Sequence, residues 1–437
     1  MVNTMTDVVT KEGLKQFKIV KIQSEELFAG MAEEWETLHS LAGTPVFLSF
    51  DWMQCWWKHF GRHENRRLHI LLVKEDEELV AIIPLYEGRS VIFGKTIQRR
   101  LNLMGDGTAV NESLGHRDTY GRSDFLDFIV KPGFEDQVCS TLIDYFSQAE
   151  YTNFDHFRAT HINDRSFIMN HLIPAMKKAE KKFMVEEIDI CPSIAMTDDF
   201  EETFLYDVSS NTRRRLRQSL KAIGAEEGYE VHEINDEKEL LREYEKMRDL
   251  HQERWNSLGY PGSFLDQRFD HFLKEYVFES FRKGNLSFRY ATDSGGYCAS
   301  RMAMIDNDRY YDYMSGFDVH SPSAKYRPGI GLLTLMIKEG HEEGFKSVEL
   351  LRGDEGYKFD FTSEVFKNWQ LIIPMNNSSK WSQNLFNKGL ESISLLFGLI
   401  KKEITLLKVQ KINHGLLPMI PNYLRTRIAQ VKKSIKK

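Results

Sequence analysis

The pattern of hydrophobic and polar positions in the first half of the chain predicts a mixed α/β unit that ends near residue 196. Apolar positions spaced three or four residues apart predict helices at 24–41, 50–61, 133–149 and 166–182. Short runs rich in branched and aromatic residues predict extended segments at 17–22, 99–105, 124–130, 153–160 and 186–196. A hairpin is predicted at 68–88, with Glu75 to Glu78 as its polar turn, and the Gly-rich segment at 105–123 is predicted to be irregular.

The second half predicts the same order of elements. A charged helix at 211–224 is followed by a strand at 229–235 and by two helices, 237–259 and 265–284. Three strands, a helix and two further strands come next, at 286–292, 297–305, 309–318, 328–344, 347–352 and 364–375. This repetition indicates a diverged tandem duplication. The predicted divisions are an N-terminal extension at 1–16, two units at 17–196 and 197–376, and a tail at 377–437.

Length and composition favour a two-domain enzyme. The chain of 437 residues exceeds the usual single-domain range, and 41% hydrophobic with 28% charged residues is typical of a globular protein. The cysteines form neither a disulfide framework nor a metal-binding spacing, which favours a reducing compartment; they lie at 55, 139, 191 and 298. Without an apolar run of signal-peptide or membrane-spanning length, we expect a cytoplasmic protein.

Charge is distributed unevenly along the chain. Between Lys380 and Lys437 there are twelve Lys or Arg and two Glu, although the net charge of the whole chain is −6. A basic helical tail with apolar positions suits either the anionic inner face of a membrane or packing against the body of the protein. Peripheral membrane contact through 380–437 is therefore one expectation, and a tail packed on the body is the other.

The segment "KYRPGIGLL" at 325–333 begins a predicted helix and is a candidate phosphate site. Gly329 and Gly331 permit close approach to the backbone, and the unpaired N–H groups of a first helical turn attract anions. Lys325 and Arg327 add positive charge. The competing interpretation is an ordinary helix start with Pro328 in its first turn.

Other motifs exclude particular chemistries. In "GRSVIFGKT" the glycines at 88 and 94 are separated by five residues where a P-loop requires four, so we predict no nucleoside triphosphate site there. The fourteen histidines are scattered, and no paired ligand spacing or HExxH motif occurs. No metal is therefore predicted.

Two further segments carry candidate binding residues. In "NTRRRLRQSLK" Arg213, Arg217 and Lys221 share one helix face, which suits phosphates or is merely solvated. In "RYYDYMSGFD" the strand period places Tyr311 and Tyr313 on one side and Tyr310 and Asp312 on the other. One side is expected in the core, and the other is expected to line a pocket.

The segment "LLRGDEGYKFDF" leaves a predicted strand and concentrates charge within a few residues. Glu349, Asp354 and Glu355 are candidate general bases, and Tyr357 is a candidate acid. Arg352 and Lys358 are candidates for binding an anionic group. A solvated loop is the alternative, in particular for Asp354 and Glu355.

Together these segments resemble the GNAT acyltransferase superfamily. The resemblance rests on "RYYDYMSGFD", "RPGIG", "SVELLRG" and "EGYKFDF". In the first half, "FLSFDWMQCWWKHFG", "LVAIIPLY" and "RSDFLDFIV" resemble the branch associated with the cellulose-biosynthesis protein CelD (BcsL-like). The resemblance covers about residues 17–375. It implies tandem GNAT-like α/β units with a mixed sheet.

For the second unit the resemblance implies binding of acetyl-CoA or another acyl-CoA. The cofactor-binding residues would be Arg327, Gly329, Ile330, Gly331 and Leu332, although Tyr326 stands where the family motif has a basic residue. Acceptor contacts would come from Arg352, Lys358, Trp255, Tyr313, Asp318, Arg213 and Arg217, with Tyr260 and Phe264 as further pocket walls. The expected reaction is N- or O-acyl transfer to a saccharide or cell-envelope precursor.

Two other functions compete with this one. The FemABX peptidyltransferases also resemble tandem GNAT units, and their Arg-rich helix and aromatic-Lys pair are similar to "NTRRRLRQSLK" and to Tyr357 with Lys358. That resemblance implies aminoacyl-tRNA as the donor and tRNA as a partner. The third possibility is a non-catalytic protein that retains the fold and binds a membrane or partner through its tail.

Overall fold

A computed structural model describes the chain at residues 6–12, 15–62, 65–92, 95–106, 123–196, 199–200, 208–258 and 262–375. The predicted tail at 377–437, Tyr260 and most of the predicted irregular segment at 105–123 lie outside these residues. Within them, no helix combines the length and the apolar character that crossing a membrane requires.

The described residues form two sheets with helices packed on their faces. The strands are β1 Thr6–Glu12, β2 Lys15–Ile22, β3 Arg66–Leu68, β4 Ile70–Glu75, β5 Glu78–Ile83, β6 Leu85–Ile92, β7 Lys95–Leu103, β8 Ile129–Val130, β9 His156–Asn163, β10 Met184–Ala195, β11 Glu230–Glu233, β12 Leu286–Asp293, β13 Gly296–Asp306, β14 Arg309–Phe317, β15 Ser347–Glu349 and β16 Val365–Pro374. The helices are α1 Glu25–Ala29, α2 Ala32–Ala42, α3 Phe50–Trp56, α4 Glu135–Phe146, α5 Ile173–Lys178, α6 Ser210–Lys221, α7 Glu237–Ser257, α8 Gln267–Arg282 and α9 Pro328–Glu343.

The larger sheet runs through both halves of the chain. Its strand order is β11-β12-β13-β14-β15-β10-β16-β9-β7-β6-β3, and the smaller sheet has the order β1-β2-β4-β5-β8. At the centre, β10 and β16 pair antiparallel from Met184 opposite Ile372 to Pro192 opposite Val365. β10, the last strand of the first half, also pairs with β15, whereas β16 pairs with β9 of the first half. Each half therefore places its last strand beside a strand of the other half.

Most predicted elements are confirmed, with five corrections. The predicted strand at 124–130 is a strand only in β8, Ile129–Val130. The predicted helix at 24–41 is broken between α1 and α2, where the backbone N–H of Gly30 closes the first helix. The predicted helix at 166–182 begins as a wide π-type turn at Ile168–Leu172 and is α-helical only in α5. The predicted strand at 347–352 ends at Glu349, and β1 lies inside the predicted N-terminal extension, paired with β2.

The core joins the two halves through aromatic side chains. Trp52 on α3 is 1% exposed, and its ring makes edge contacts with Phe272 of α8 and Tyr313 of β14 at centroid distances of 4.9 and 5.5 Å. Its indole N–H donates a hydrogen bond of 2.7 Å to the hydroxyl of Ser123. Because such rings bury a large apolar area in a fixed geometry, this contact holds the first half against the helices of the second.

Replacing Trp52 by alanine should lower the free energy of unfolding by about 3–5 kcal/mol, because the substitution leaves a cavity in the centre of the core. Urea denaturation followed by circular dichroism measures the loss. Phe359→Ala is the control, since this aromatic side chain is 42% exposed and its truncation should cost no more than about 0.5 kcal/mol. Similar losses for the two variants would contradict the placement of Trp52 between the halves.

Candidate functional site

The two central parallel strands of the second half separate and leave a cavity. β14 and β15 pair only from Arg309 opposite Ser347 to Tyr311 opposite Glu349. β14 then continues to Phe317 while the chain leaves β15, so the far end of β14 loses its neighbour on that side. The gap is a cavity of about 760 Å³, bounded by the end of α7, the start of α9 and the loop 350–358. This volume suits a small organic ligand.

The N-terminus of α9 opens on this cavity. Arg327, just before the helix, has φ 55°, no side chain caps the first turn, and that turn contains no acidic residue. Gly329 and Ile330 line the cavity. The atoms nearest to a Cβ on Gly329 would belong to Phe317, at 3.7 Å and beyond, which is ordinary van der Waals contact. Pro328 has no N–H, and those of Ile330 and Gly331 donate to the Arg327 carbonyl at 2.9 and 3.0 Å. The positive helix end, with the N–H of Gly329, is therefore what this terminus offers to an anion.

The corresponding helix of the first half has a different start. The first turn of α4 contains Glu135 and Asp136. The carboxylate of Glu135 accepts hydrogen bonds from the backbone N–H of Gly133 at 3.0 and 3.1 Å. Because these carboxylates repel a phosphate, only α9 of the two helices offers an anion a favourable terminus.

A buried ion pair lies beside the helix start. Arg301 of β13 donates to Asp312 of β14 at 2.5 Å and to the backbone carbonyl of Gly329 at 3.2 Å. The second carboxylate oxygen of Asp312, Oδ1, is buried and has no hydrogen-bond partner among the described residues. Both side chains line the cavity, so Asp312 is a fixed acceptor in its wall with one oxygen that is not hydrogen-bonded.

Tyr357 lies next to this pair. The guanidinium carbon of Arg301 is 5.9 Å from the centre of the Tyr357 ring. Burial raises the pKa of Tyr357 to about 12, and the Asp312 carboxylate raises it further whereas Arg301 lowers it. The phenol is therefore protonated at neutral pH and can donate a hydrogen bond into the cavity.

The loop 350–358 is fixed by its own lysine. Lys358 is 4% exposed, and its ammonium donates to the carbonyls of Leu351 and Arg352 at 3.3 and 2.8 Å and pairs with Glu355 at 2.9 Å. Leu351 has φ 59°, a conformation that costs energy for a branched side chain. The lysine thus supports a strained loop from within, with its ammonium bound to the loop carbonyls.

A contact from the first half holds the other end of this loop. Arg352 pairs with the buried carboxylate of Asp124 at 3.5 Å and contacts the carbonyl of Ser123 at 3.4 Å. Burial raises the pKa of Asp124, and the charges of Arg352 and Lys358 oppose that shift. The first half therefore contributes a wall residue and a counter-charge to a cavity in the second.

The structure brings most of the predicted site residues together. Those that line the cavity are Trp255, Tyr313, Asp318, Arg327, Gly329, Ile330, Arg352, Glu355, Tyr357 and Lys358. Gly331 and Leu332 are buried on the side of α9 that packs into the core, and Arg213 and Arg217 lie on α6. Asp354 is exposed beside the cavity, and Glu349 lines a different cavity, where it pairs with Arg165 at 2.9 Å.

Sequence reasoning did not assign several residues that line the cavity. No local motif marks Arg301 or Asp124, because strand pairing brings them to the cavity. His251 of α7 also lines the cavity, and its Nδ1 is 3.2 Å from the carbonyl of Ser315. Burial lowers the pKa of His251 to about 4, so the ring is neutral at pH 7. Strand alternation predicted Asp312 and Tyr313 on opposite sides, but both line this cavity, and the β13–β14 register shifts at this point, between Met302 and Ala303.

Residues 210–359 match the family model described as "Acetyltransferase (GNAT) domain". The chain thus contains a GNAT-fold domain. No curated protein matches the chain significantly. The crystal structure of FemX is similar in fold, with TM-score 0.51 and 11% identity over 79% of this chain and 94% of that one. The CelD branch and the cellulose context are not found in these comparisons and stay predictions from resemblance.

Two further solved structures are similar at lower scores. A domain of a putative lysylphosphatidylglycerol synthetase from Agrobacterium fabrum has TM-score 0.47 and 12% identity, covering 84% of this chain and 97% of that one. A tandem GNAT protein from the clavulanic acid biosynthesis pathway has TM-score 0.42 and 12% identity, covering 83% of this chain and 100% of that one.

Metal ligands are not grouped in the part of the chain that the structure describes. No three His, Cys, Asp or Glu side chains there lie in an arrangement that could hold an ion. The four cysteines are all buried and unbridged.

The two glycines of α9 should respond differently to alanine. A Cβ on Gly331 would lie 1.9 Å from the Tyr229 hydroxyl and 2.6 Å from that of Ser219, whereas the nearest atom to one on Gly329 is at 3.7 Å. Gly331→Ala should therefore destabilise the fold by about 1–3 kcal/mol through overpacking. Gly329→Ala, the matched control, should leave the melting temperature unchanged or raised, because alanine favours helix. Equal melting temperatures would show that Gly331 is not needed for packing.

Proposed function

We propose that the second half transfers an acyl group from an acyl-CoA, such as acetyl-CoA, to an amine or hydroxyl of a saccharide or cell-envelope precursor. The observation that carries the proposal is the uncapped N-terminus of α9, without acidic residues, at the edge of a cavity of about 760 Å³. The match of residues 210–359 to an acetyltransferase domain supports it. The acceptor class rests on the resemblance to the CelD branch alone.

The residues present suit an acyl-CoA. The positive end of α9, with the N–H of Gly329, would hold a pyrophosphate, and the exposed side chain of Arg327 adds positive charge at the same edge. Arg254, whose guanidinium carbon is 4.3 Å from the centre of the Phe317 ring, adds a second cation to the cavity wall. The cosubstrate supplies an activated thioester. The chain has to bind it, remove a proton from the acceptor and donate a hydrogen bond to the departing thiolate.

Asp312 is the best-placed general base. Arg301 fixes its carboxylate, and the unpartnered oxygen Oδ1 can take a proton from an acceptor ammonium. This assignment replaces Glu349 and Asp354, which do not line the cavity, and it is preferred to Glu355, which is exposed and paired with Lys358.

Tyr357 would stabilise the departing thiolate. Its pKa of about 12 lies above that of a thiol, about 8.5, so the phenol donates a hydrogen bond to the sulfur and keeps most of its proton. Tyr357 lies beside Arg301 and Asp312, so its hydroxyl is next to the base. The proton acceptor and the group that stabilises the thiolate are therefore held at the same ion pair.

An aminoacyl-tRNA donor is the second candidate. One observation favours it: α6 exposes Arg214, Arg217 and Lys221, a basic surface on a helix that packs against α9. Such a surface would bind a nucleic-acid backbone. Lys358 does not contribute to that surface, because its ammonium is occupied by the loop carbonyls.

Acyl-CoA binding should raise the thermal stability of the protein with the logarithm of ligand concentration, by about 2.7 kcal/mol at a hundred times Kd. Gly329→Asp should weaken this binding at least about tenfold, since it places a carboxylate at the anion site, as in α4. Gly329→Asn is the control of equal size without the charge. No stabilisation by acetyl-CoA or longer acyl-CoAs would rule out the proposal, and stabilisation by charged tRNA would favour the second candidate.

Tyr357→Phe should lower kcat for acyl transfer about tenfold or more while leaving acyl-CoA affinity nearly unchanged, because only the hydroxyl hydrogen bond to the thiolate is removed. Tyr326→Phe is the control, since Tyr326 lies at the start of α9 but does not line the cavity. Steady-state kinetics with a thiol-detecting reagent measures both variants. Undiminished turnover of Tyr357→Phe would remove the phenol from the mechanism.

A further inference from the structure

A second cavity lies between the two halves, on the other side of the paired segment of β14 and β15. Its volume is about 570 Å³, and the side chains of Tyr311 and Glu349, which are register partners, line it. Because register partners point to the same face, this cavity opens on one face of the strand pair. Tyr310 and Val348, the neighbouring partners, belong to the core cluster that α9 packs into on the opposite face.

Two buried polar side chains in this cavity lack hydrogen-bond partners on one atom each. Glu349 is 1% exposed, and its Oε1 accepts from Arg165 at 2.9 Å while its Oε2 has no partner among the described residues. Asn163 is 4% exposed, and its Oδ1 accepts from the Arg165 side chain at 3.3 Å while its Nδ2 has none. Leaving such groups unsatisfied costs about 1–3 kcal/mol each.

The two orphaned atoms belong to one cluster. Both side chains bind the same guanidinium, and Arg165 stacks on the ring of Phe366 with its Cζ 3.9 Å from the ring centre. The hydroxyl of Thr44, also buried and without a partner in the described part of the chain, lines the same cavity. One carboxylate acceptor, one amide donor and one hydroxyl, all buried and unsatisfied, therefore lie in the wall of this cavity.

The charges around the cavity argue against a charged ligand. Both basic and acidic side chains line its wall, so neither a cation nor an anion finds a field of one sign. The charged residues that line it are Arg165, Arg309, Lys346, Asp127, Glu135, Glu349 and Glu364. Aromatic rings form much of the remaining wall, from Phe125, Phe128, Phe167 and Phe366.

We propose that this cavity binds a neutral, hydroxyl-rich small molecule of the size of a mono- or disaccharide. A hydroxyl group both donates and accepts, so adjacent hydroxyls can donate to Glu349 Oε2 and accept from Asn163 Nδ2. The C–H faces of a sugar ring suit the phenylalanine walls. The volume of about 570 Å³ is sufficient for one or two such rings.

A ligand in this cavity would affect the cavity beside α9, because β14 lines both. Glu349 directly precedes the loop 350–358, and Tyr311 directly precedes Asp312. A ligand held by Glu349 would therefore restrain the end of β15 from which Arg352 and Tyr357 are positioned. Binding itself does not depend on the proposed acyl transfer and is measured without it.

The test is saturation-transfer NMR and calorimetry on the full chain with glucose, mannose, N-acetylglucosamine and maltose at millimolar concentration. At least one neutral sugar should bind saturably. Glucosamine and glucuronate, which carry a charge on the same ring, should bind at least about tenfold more weakly than the best neutral sugar. No saturable binding by any of the four, or tighter binding of a charged ring, would overturn the proposal.

Substitutions in the cavity wall test whether the sugar binds there. Glu349→Gln keeps the shape and the acceptor for Arg165 but converts the orphaned oxygen into a donor, and it should weaken sugar binding at least about tenfold. Glu186→Gln makes the same change at an exposed position outside the cavity and should leave Kd unchanged. Asn163→Asp, which removes the amide donor, is the second variant should Glu349→Gln fold poorly, with melting temperature checking each. Undiminished affinity in the folded variant would place the sugar elsewhere and refute the assignment.

Discussion

The antiparallel pairing of β10 with β16 is the constraint on which the rest of this structure depends. These strands are the last of the first and second halves, and each lies between its partner and a strand of the opposite half. The sheet is continuous across the chain for that reason, and neither half satisfies its backbone hydrogen bonds alone. The two halves are expected to fold as one cooperative unit.

Backbone hydrogen bonds to β10 also position the loop of the candidate site. As the chain leaves β15, the backbone N–H of Leu350 donates to the carbonyl of Pro192, and that of Gly353 donates to Ile190, at 3.0 Å each. Both acceptors lie on β10, in the first half. Asp124, also from the first half, holds Arg352. The first half is therefore a structural part of the cavity, although its own helix α4 has an acidic start that does not suit a phosphate.

The two cavities beside β14 and β15 differ in their electrostatics. The cavity beside α9 combines a free helix terminus with a fixed carboxylate and a protonated phenol, which suits an anionic cosubstrate and a nucleophile that loses a proton. The cavity between the halves has both signs of charge and orphaned buried polar atoms. These are two different environments on the two sides of one short strand pair.

The sequence by itself determined the element order, the repeated α/β pattern and the segments that carry the site. Apolar periodicity and turn residues are local, so β12 to β14, α9 and the polar loop after β15 were predictable. Local signals also indicated Tyr357 and Gly329, because a polar residue after a strand and a glycine at a helix start are visible in one segment.

Only the tertiary structure decided which of these residues act together. Arg301 and Asp312 meet because β13 and β14 pair, and Asp124 meets Arg352 across more than two hundred residues of chain. Glu349 and Tyr357, eight residues apart, belong to different cavities because the strand ends between them and its last side chain faces away from α9. Strand register, and the pairing of β10 and β16 with strands of the opposite half, decide which side chains come together. Both depend on long-range backbone pairing that no local pattern encodes.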